Sequence, residues 1–349
     1  MNPLILSTLM MGIGLGTTVT FASSHWLLAW IGLEMNTLAI LPLMAQHHHP
    51  RAVEATTKYF LTQSAAAATI MFAAATNAWI TGQWDIQCIS HPLPTTLMCM
   101  ALFLKIGLAP LHAWLPEVIQ GLDLTTGWIM STWQKLAPFA LLVQVLPNMP
   151  TLMTMLGLIS MAVGGWGGLN QTQLRKMMAY SSIAHLGWMV IVLQHSPAMT
   201  MLALTMYILM TTSAFMTFKL LKSTNINTLA LSWSKAPVVT VMAPLVMLSL
   251  AGLPPLSGFM PKWLIIQELT KQDLALPATL AVMMALLSLF FLLYALFSLS
   301  FTHPPNNLLA CIPWRMKMVE VTMPLAVSSS LSMLLLPLAP ALLSLMLAP

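Results

Sequence analysis

The chain has 349 residues, of which 58% are hydrophobic and 6% charged, and its mean hydropathy is +0.84. Soluble domains carry about 25% charged residues, so this composition excludes a soluble globular protein and implies a polytopic membrane protein. The net charge of +5 and the pI near 9.2 do not point to nucleic acid, because the 13 basic residues are scattered and form no basic run with interleaved aromatics.

Crossing about 30 Å of hydrocarbon takes about 20 apolar residues, and on that measure the sequence predicts about eleven spans. Met1-Asn2-Pro3 leads straight into the first, from Pro3 to Phe21, with no basic region or small-residue cleavage site, so no removable targeting segment is expected. The second, Trp26 to Ala45, contains Glu34. A polar loop with His47-His48-His49, Arg51, Glu54 and Lys58 precedes the third, Tyr59 to Ile80, whose alanines suit close helix packing. After a loop from Thr81 to Pro94 that contains Asp85, the fourth span, Thr95 to Gln120, is interrupted by Gly and Pro. The fifth, Thr125 to Leu146, holds Lys135 and ends at a turn, Pro147-Asn148-Met149-Pro150. The sixth, Thr151 to Leu169, carries Gly164-Gly165-Trp166-Gly167-Gly168. The seventh, Leu174 to Leu193, carries Tyr180, Ser181, Ser182 and His185, and the eighth runs from Ala198 to Leu221. A polar linker, Lys222 to Lys235, leads to the ninth, Val238 to Leu269, which is again interrupted, and to the tenth, Leu276 to Ser300. The polar segment His303 to Glu320 precedes the eleventh, Val321 to Leu347.

Alternation of these spans sends Arg51, Lys58, Arg175, Lys176, Lys219, Lys222, Lys235, Arg315 and Lys317 to one face and only Lys271 to the other. The positive-inside rule expects such a bias, which depends on the parity of every span. It places the N-terminus on the positive side and the C-terminus on the other.

The two interrupted spans echo each other. Lys105-Ile-Gly-Leu-Ala-Pro-Leu-His-Ala-Trp-Leu-Pro-Glu117 aligns with Gly252-Leu-Pro-Pro-Leu-Ser-Gly-Phe-Met-Pro-Lys262, so that Gly107 meets Gly252, Pro110 meets Pro255 and Pro116 meets Pro261. Gly and Pro inside an apolar run break a helix and free backbone groups. The expected architecture is an all-α membrane protein built from two five-helix repeats, 1–147 and 148–302. The discontinuous helices fall near 107–110 and 252–255, and 303–349 forms a polar linker and a C-terminal helix. An odd number of spans per repeat makes the repeats inverted, as in many transporters with sites at membrane depth.

Glu34, Lys105, Lys135 and Lys262 are the ionisable residues placed within spans. An unpaired charge at the bilayer centre costs about 2.5–3.5 kcal/mol, so each needs a partner, water or neutralisation. Glu34 and Lys105 form either a structural ion pair or a coupled pair whose protonation changes. Moving one charge through about 200 mV takes about 4–5 kcal/mol, and a lysine pKa swing of about three units supplies about 4 kcal/mol, so the magnitudes match. Pro138 removes the backbone bond to Gln134 beside Lys135, which opens that helix to water. Lys262 either snorkels to an interface or acts at the second break. His112 and His185 either relay protons or only make hydrogen bonds. Tyr180, Ser181 and Ser182 line a hydrated path, or the serines bond back to their own helix. Glu117 and Asp123 read as surface acids.

Cys88, Cys99 and Cys311 have no CxxC or other ligand spacing, and the 31 methionines form no cluster beside His or Cys, so no metal site is expected. There is no P-loop, no GxGxxG after a strand and no thiolate cluster, so no nucleotide or redox cofactor is expected on the chain. The glycines at 164–168 read as close helix packing.

Taken together, the opening Met-Asn-Pro, Trp30-Ile-Gly-Leu-Glu34-Met-Asn, the Lys105–Glu117 stretch and Gln173-Leu-Arg-Lys-Met-Met-Ala-Tyr-Ser-Ser-Ile-Ala-His-Leu-Gly187 resemble the antiporter-like membrane-arm subunits of respiratory complex I, in the form of animal mitochondria. The resemblance covers essentially the whole chain. It implies a proton-translocating subunit in the mitochondrial inner membrane, with the positive side facing the matrix. The family's intramembrane glutamate falls on Glu34, and its lysines fall on Lys105, Lys135 and Lys262. Bacterial relatives carry three extra N-terminal helices that are absent here, so partner subunits or lipid must cover that flank. FMN, iron–sulfur clusters and ubiquinone are then expected on other subunits. The implied partners are neighbouring antiporter-like subunits, accessory subunits and lipids such as cardiolipin. The other readings are a free-standing cation/proton antiporter and a structural spacer with no proton path.

Overall fold

The computed structural model describes residues 2–46, 48–89, 91–145, 149–234, 236–300, 323–341 and 344. Lys235, Pro147 and Asn148 of the expected turn, the segment His303–Glu320 with Arg315 and Lys317, and the two ends of the last expected span lie outside these residues. Among the described residues all regular secondary structure is helical, beside two isolated β-bridges. The chain divides into two compact units, Met1–Pro150 and Thr151–Pro349.

The first unit contains α1 (Pro3–Ala22), α2 (Trp26–Met44), α3 (Pro50–Thr81), α4 (Pro92–Ile106), α5 (Trp114–Gly121), α6 (Leu124–Ser131) and α7 (Trp133–Val145). Helix starts follow a common chemistry: Pro50 and Pro92 open α3 and α4, where the missing N–H costs nothing. The preceding His49 and His91 accept Arg51 N and Leu93 N on Nδ1 at 3.2 and 3.4 Å, and His25 does the same for Leu27 N at 3.1 Å. This cap corrects one expectation: Arg51, Glu54 and Lys58 belong to the first turns of α3, not to a loop. The expected fifth span is likewise two helices, interrupted at Thr132.

In the first unit α1 packs on α2, α2 on α3, α3 on α4 and α5, and α7 on α1, α2, α4 and α6. The α1–α2 crossing is close because Gly16 and Gly32 face each other, and a Cβ at either would lie 2.8 Å from the other's carbonyl oxygen. Trp26, Phe103, Phe139 and an alanine face of α3 (Ala66, Ala67, Ala73, Ala74) form the core.

The second unit contains α8 (Pro150–Gly168), α9 (Leu174–Val192), α10 (Pro197–Leu221), α11 (Ile226–Ala230), α12 (Pro237–Ala251), α13 (Phe259–Lys271), α14 (Ala275–Ser300) and α15 (Met323–Leu334). The segment read as a polar linker therefore carries α11 and a 3₁₀ turn, Leu231–Ser234. The glycines of α8 do pack closely: a Cβ at Gly164 would lie 2.9 Å from Tyr180 O of α9, and one at Gly165 2.9 Å from Leu287 of α14. Tyr207, Phe215 and Phe218 of α10 fill the centre, and α15 packs on α10 and α12.

Among the described residues, five helices are long and apolar enough to cross a membrane alone: α1, α2, α8, α10 and α14. Shorter apolar helices lie at Pro92–Ile106, Val238–Ala251 and Met323–Leu334. The count of about eleven spans belongs to the reading proposed below.

Candidate functional site

Both interruptions have the same backbone. Gly107 ends α4 at φ 84°, and Gly252 ends α12 at φ 80°, in the left-handed region that a side chain disfavours. Each glycine N–H returns to the helix, Gly107 to Phe103 O at 2.9 Å and Gly252 to Leu248 O at 3.1 Å, and Leu108 and Leu253 bond to the same two carbonyls. A cis peptide follows each, at Ala109-Pro110 and Pro254-Pro255.

The remaining carbonyls at the broken ends have no water in a bilayer to bond, so side chains must satisfy them. At the end of α4, Trp114 Nε1 donates to Leu104 O at 3.0 Å, and Gln63 Nε2 of α3 donates to Lys105 O at 3.4 Å. At the end of α12, Lys262 Nζ itself donates to Ala251 O at 2.7 Å, and its stem lies over Gly252. The ammonium there opposes the negative end of a helix dipole. Lys262 is thus turned inward onto the break.

Because neighbours hold the end of α4, Lys105 is left over. Its side chain is 6% exposed, and its ammonium has no hydrogen-bond partner. Lys135 of α7 is 2% exposed. The two lysines line one cavity of about 20 Å³, together with Asn36, Tyr59, Gln63, Trp114, Gln134 and Pro138 among others. That volume holds about one water. Glu34 Oε2 is buried without a hydrogen-bond partner, and no ion pair within 4.0 Å joins it to Lys105. Glu34 does not line the cavity.

In the second unit Lys262 and His185 line a cavity of about 10 Å³ with Ser181, Trp188 and Ser288. The His185 ring meets that of Tyr207 at 5.6 Å. The hydroxyls of Ser181 and Ser182 donate to Met178 O and Ala179 O at 2.8 and 2.7 Å, the local helix bonding open to serine in a span. His112 lies in the first break, with Nδ1 3.2 Å from Pro110 O, and is not on the cavity wall. Glu117 is exposed and accepts from Lys58 at 2.6 Å, and Lys58 also meets Glu54 at 2.7 Å, which ties α3 to α5 at the surface.

Sequence reasoning did not single out Tyr59, Gln63, Trp114 or Ser288. Tyr59 and Gln63 are one turn apart on α3, a polar pair on a buried face rich in alanine, and the Tyr59 ring meets that of Trp114 at 5.8 Å in a tilted arrangement. That polar interruption of a small-residue face was the available signal.

The family profile described as NADH:quinone oxidoreductase/Mrp antiporter, TM, matches residues 23–288, and that described as NADH dehydrogenase subunit 2 C-terminus matches 289–343. The chain is 64% identical over 345 residues to NADH-ubiquinone oxidoreductase chain 2 of Tetraodon nigroviridis and 63% identical over 346 residues to that of Gadus morhua, each covering 99% of both chains. Its fold is similar to a chain in respiratory complex I from Thermus thermophilus with bound aureothin, with a TM-score of 0.80 and 28% identity over 98% of this chain and 77% of that one. The fold alone is also shared with a chain of the Mrp complex from Dietzia sp. DQ12-45-1b, with a TM-score of 0.77 and 16% identity over 97% of this chain and 74% of that one. A full-length match at this identity, with family profiles over most of its length, makes the chain a member of the NADH-ubiquinone oxidoreductase chain 2 family of complex I membrane subunits.

Proposed function

We propose that this chain translocates protons in the membrane arm of NADH:ubiquinone oxidoreductase, driven by electron transfer in other subunits. The observation that carries the reading is the pairing of Lys105 and Lys135 on one water-sized cavity, with the Lys105 ammonium buried and unpartnered. A structural lysine would be expected to end on an acceptor; a proton carrier must be able to lose its charge and regain it. Glu34 modulates Lys105 through its charge, Lys135 passes the proton centrally, and Lys262 with His185 connects to the far side or to a neighbouring subunit. His112 holds the turn of the first break.

The reading includes about eleven spans arranged as two inverted repeats with a further C-terminal helix. The matched φ values and hydrogen bonds of the two breaks support it. So do the α1–α2 and α8–α9 crossings, where Gly16 faces the carbonyl of Gly32 and Gly164 that of Tyr180. It places the chain in the mitochondrial inner membrane with its N-terminus in the matrix, beside other membrane-arm subunits, accessory subunits and lipid. It assigns FMN, the iron–sulfur clusters and ubiquinone to other subunits.

The test is proton yield per NADH oxidised in vesicles holding the intact complex, for the wild type and Lys105→Met, with assembly checked on a native gel. A lower yield, or loss of quinone-coupled activity in an assembled complex, is the expected result. An unchanged yield would leave the buried charges structural and the chain a spacer between pumping subunits.

A further inference from the structure

The cavity between Lys105 and Lys135 has more unmet hydrogen-bonding capacity than the lysines alone. Gln134 Nε2 is buried, has no partner and belongs to a residue on the cavity wall, as does the Lys105 ammonium. Gln134 has a second group without its usual donor. Pro138 stands four residues on inside α7 and has no N–H, so the Gln134 carbonyl lacks its helical donor. The unpartnered Asn36 Oδ1 is a poorer candidate, because it is turned against Gly16 of α1. A water accepts two hydrogen bonds and donates two, and a buried water takes about three partners. Lys105 Nζ and Gln134 Nε2 match its two lone pairs, and the Gln134 carbonyl matches one of its protons.

We propose that Gln134 is a positioning residue: its amide and its Pro138-freed carbonyl hold one water against Lys105, in line for Lys135. This rests on the proton-path reading above. In the transfer step an N–H bond of the Lys105 ammonium breaks and an O–H bond to the water forms. Another O–H bond of that water breaks as Lys135 Nζ gains its proton. One proton moves, the water is regenerated, and Gln134 neither gains nor loses one. The same step runs in reverse from Lys135.

The test uses the assembled complex in vesicles, with proton-coupled NADH turnover measured for Gln134→Met, Gln134→His, Pro138→Ala and Lys135→Met. Methionine keeps the length but removes the amide; losing one such hydrogen bond is expected to slow coupled turnover about tenfold. Histidine, which can still donate, is expected to recover most of that loss, which a purely structural role would not produce. Pro138→Ala supplies the missing N–H, withdraws the Gln134 carbonyl into the helix and is expected to slow turnover as well. It also decides the matter if Gln134→Met fails to assemble. Slow Lys135→Met with normal Gln134→Met and Pro138→Ala would overturn the role of Gln134 and leave the path intact. Normal turnover in all four variants would overturn the path itself, and this role with it.

Discussion

Lys105 and Lys262 sit beside equivalent helix breaks but do different work. The end of α4 is satisfied by Trp114 and Gln63, so the Lys105 ammonium bonds nothing, whereas Lys262 is itself the donor to Ala251 O. Replacement by an apolar side chain therefore has opposite structural consequences. Lys262→Met leaves a carbonyl at the end of α12 without its donor, which costs about 1–3 kcal/mol. Lys105→Met removes an unpartnered buried ammonium and orphans no backbone group. Thermal unfolding of the purified complex, followed through loss of this chain on native gels, is expected to show Lys262→Met destabilised and Lys105→Met at or above wild type. Equal destabilisation of the two would mean that Lys105 also carries a structural bond.

At the scale of elements, glycine decides how closely helices approach. Gly14 and Gly32 are both helical glycines in the first unit, but a Cβ at Gly14 meets nothing within 4 Å, while one at Gly32 would lie 2.6 Å from Thr20 Cγ2 and 2.8 Å from Gly16 O. Gly14→Ala is expected to be neutral or to stabilise by up to about 1 kcal/mol through helix propensity. Gly32→Ala must push α2 away from α1, and overpacking of this kind costs about 1–3 kcal/mol. Because Glu34 rides on α2 two residues away, Gly32→Ala is also expected to lower coupled activity in whatever complex assembles. Complex abundance and turnover in the two variants check both statements.

The breaks at Gly107 and Gly252 were legible because Gly and Pro act on their own backbone. The cavity was not, since Gln63 reaches Lys105 across 42 residues of chain through the packing of α3 on α4. The helical start of α3 was hidden because its cap is a histidine, outside the usual Ser, Thr, Asp and Asn set. Pro138 pointed to a disturbed helix near Lys135, but the interruption lies at Thr132, two residues before the carbonyl of Gln134 that it frees.

At the scale of the whole molecule, the basic residues and the broken helices make one joint statement about topology. Lys222 ends α10 and Lys271 ends α13, with α11, the 3₁₀ turn and α12 between them. At about 1.5 Å per residue, α12 and α13 are about 22 and 20 Å long, so neither alone crosses about 30 Å of hydrocarbon. If the two are halves of one broken span, Lys222 and Lys271 lie on opposite faces of the membrane. If each merely dips in and returns, the two lysines share a face and the parity of the second repeat fails. In a background where Cys88 and Cys311 are replaced by serine, single cysteines placed by Lys222→Cys and Lys271→Cys separate these cases. A membrane-impermeant thiol reagent applied to sealed inner-membrane vesicles of known orientation is expected to label Lys222→Cys only from the matrix face and Lys271→Cys only from the other. Labelling of both from one face would remove the inverted repeat, because α12 and α13 would then not be the two halves of one span.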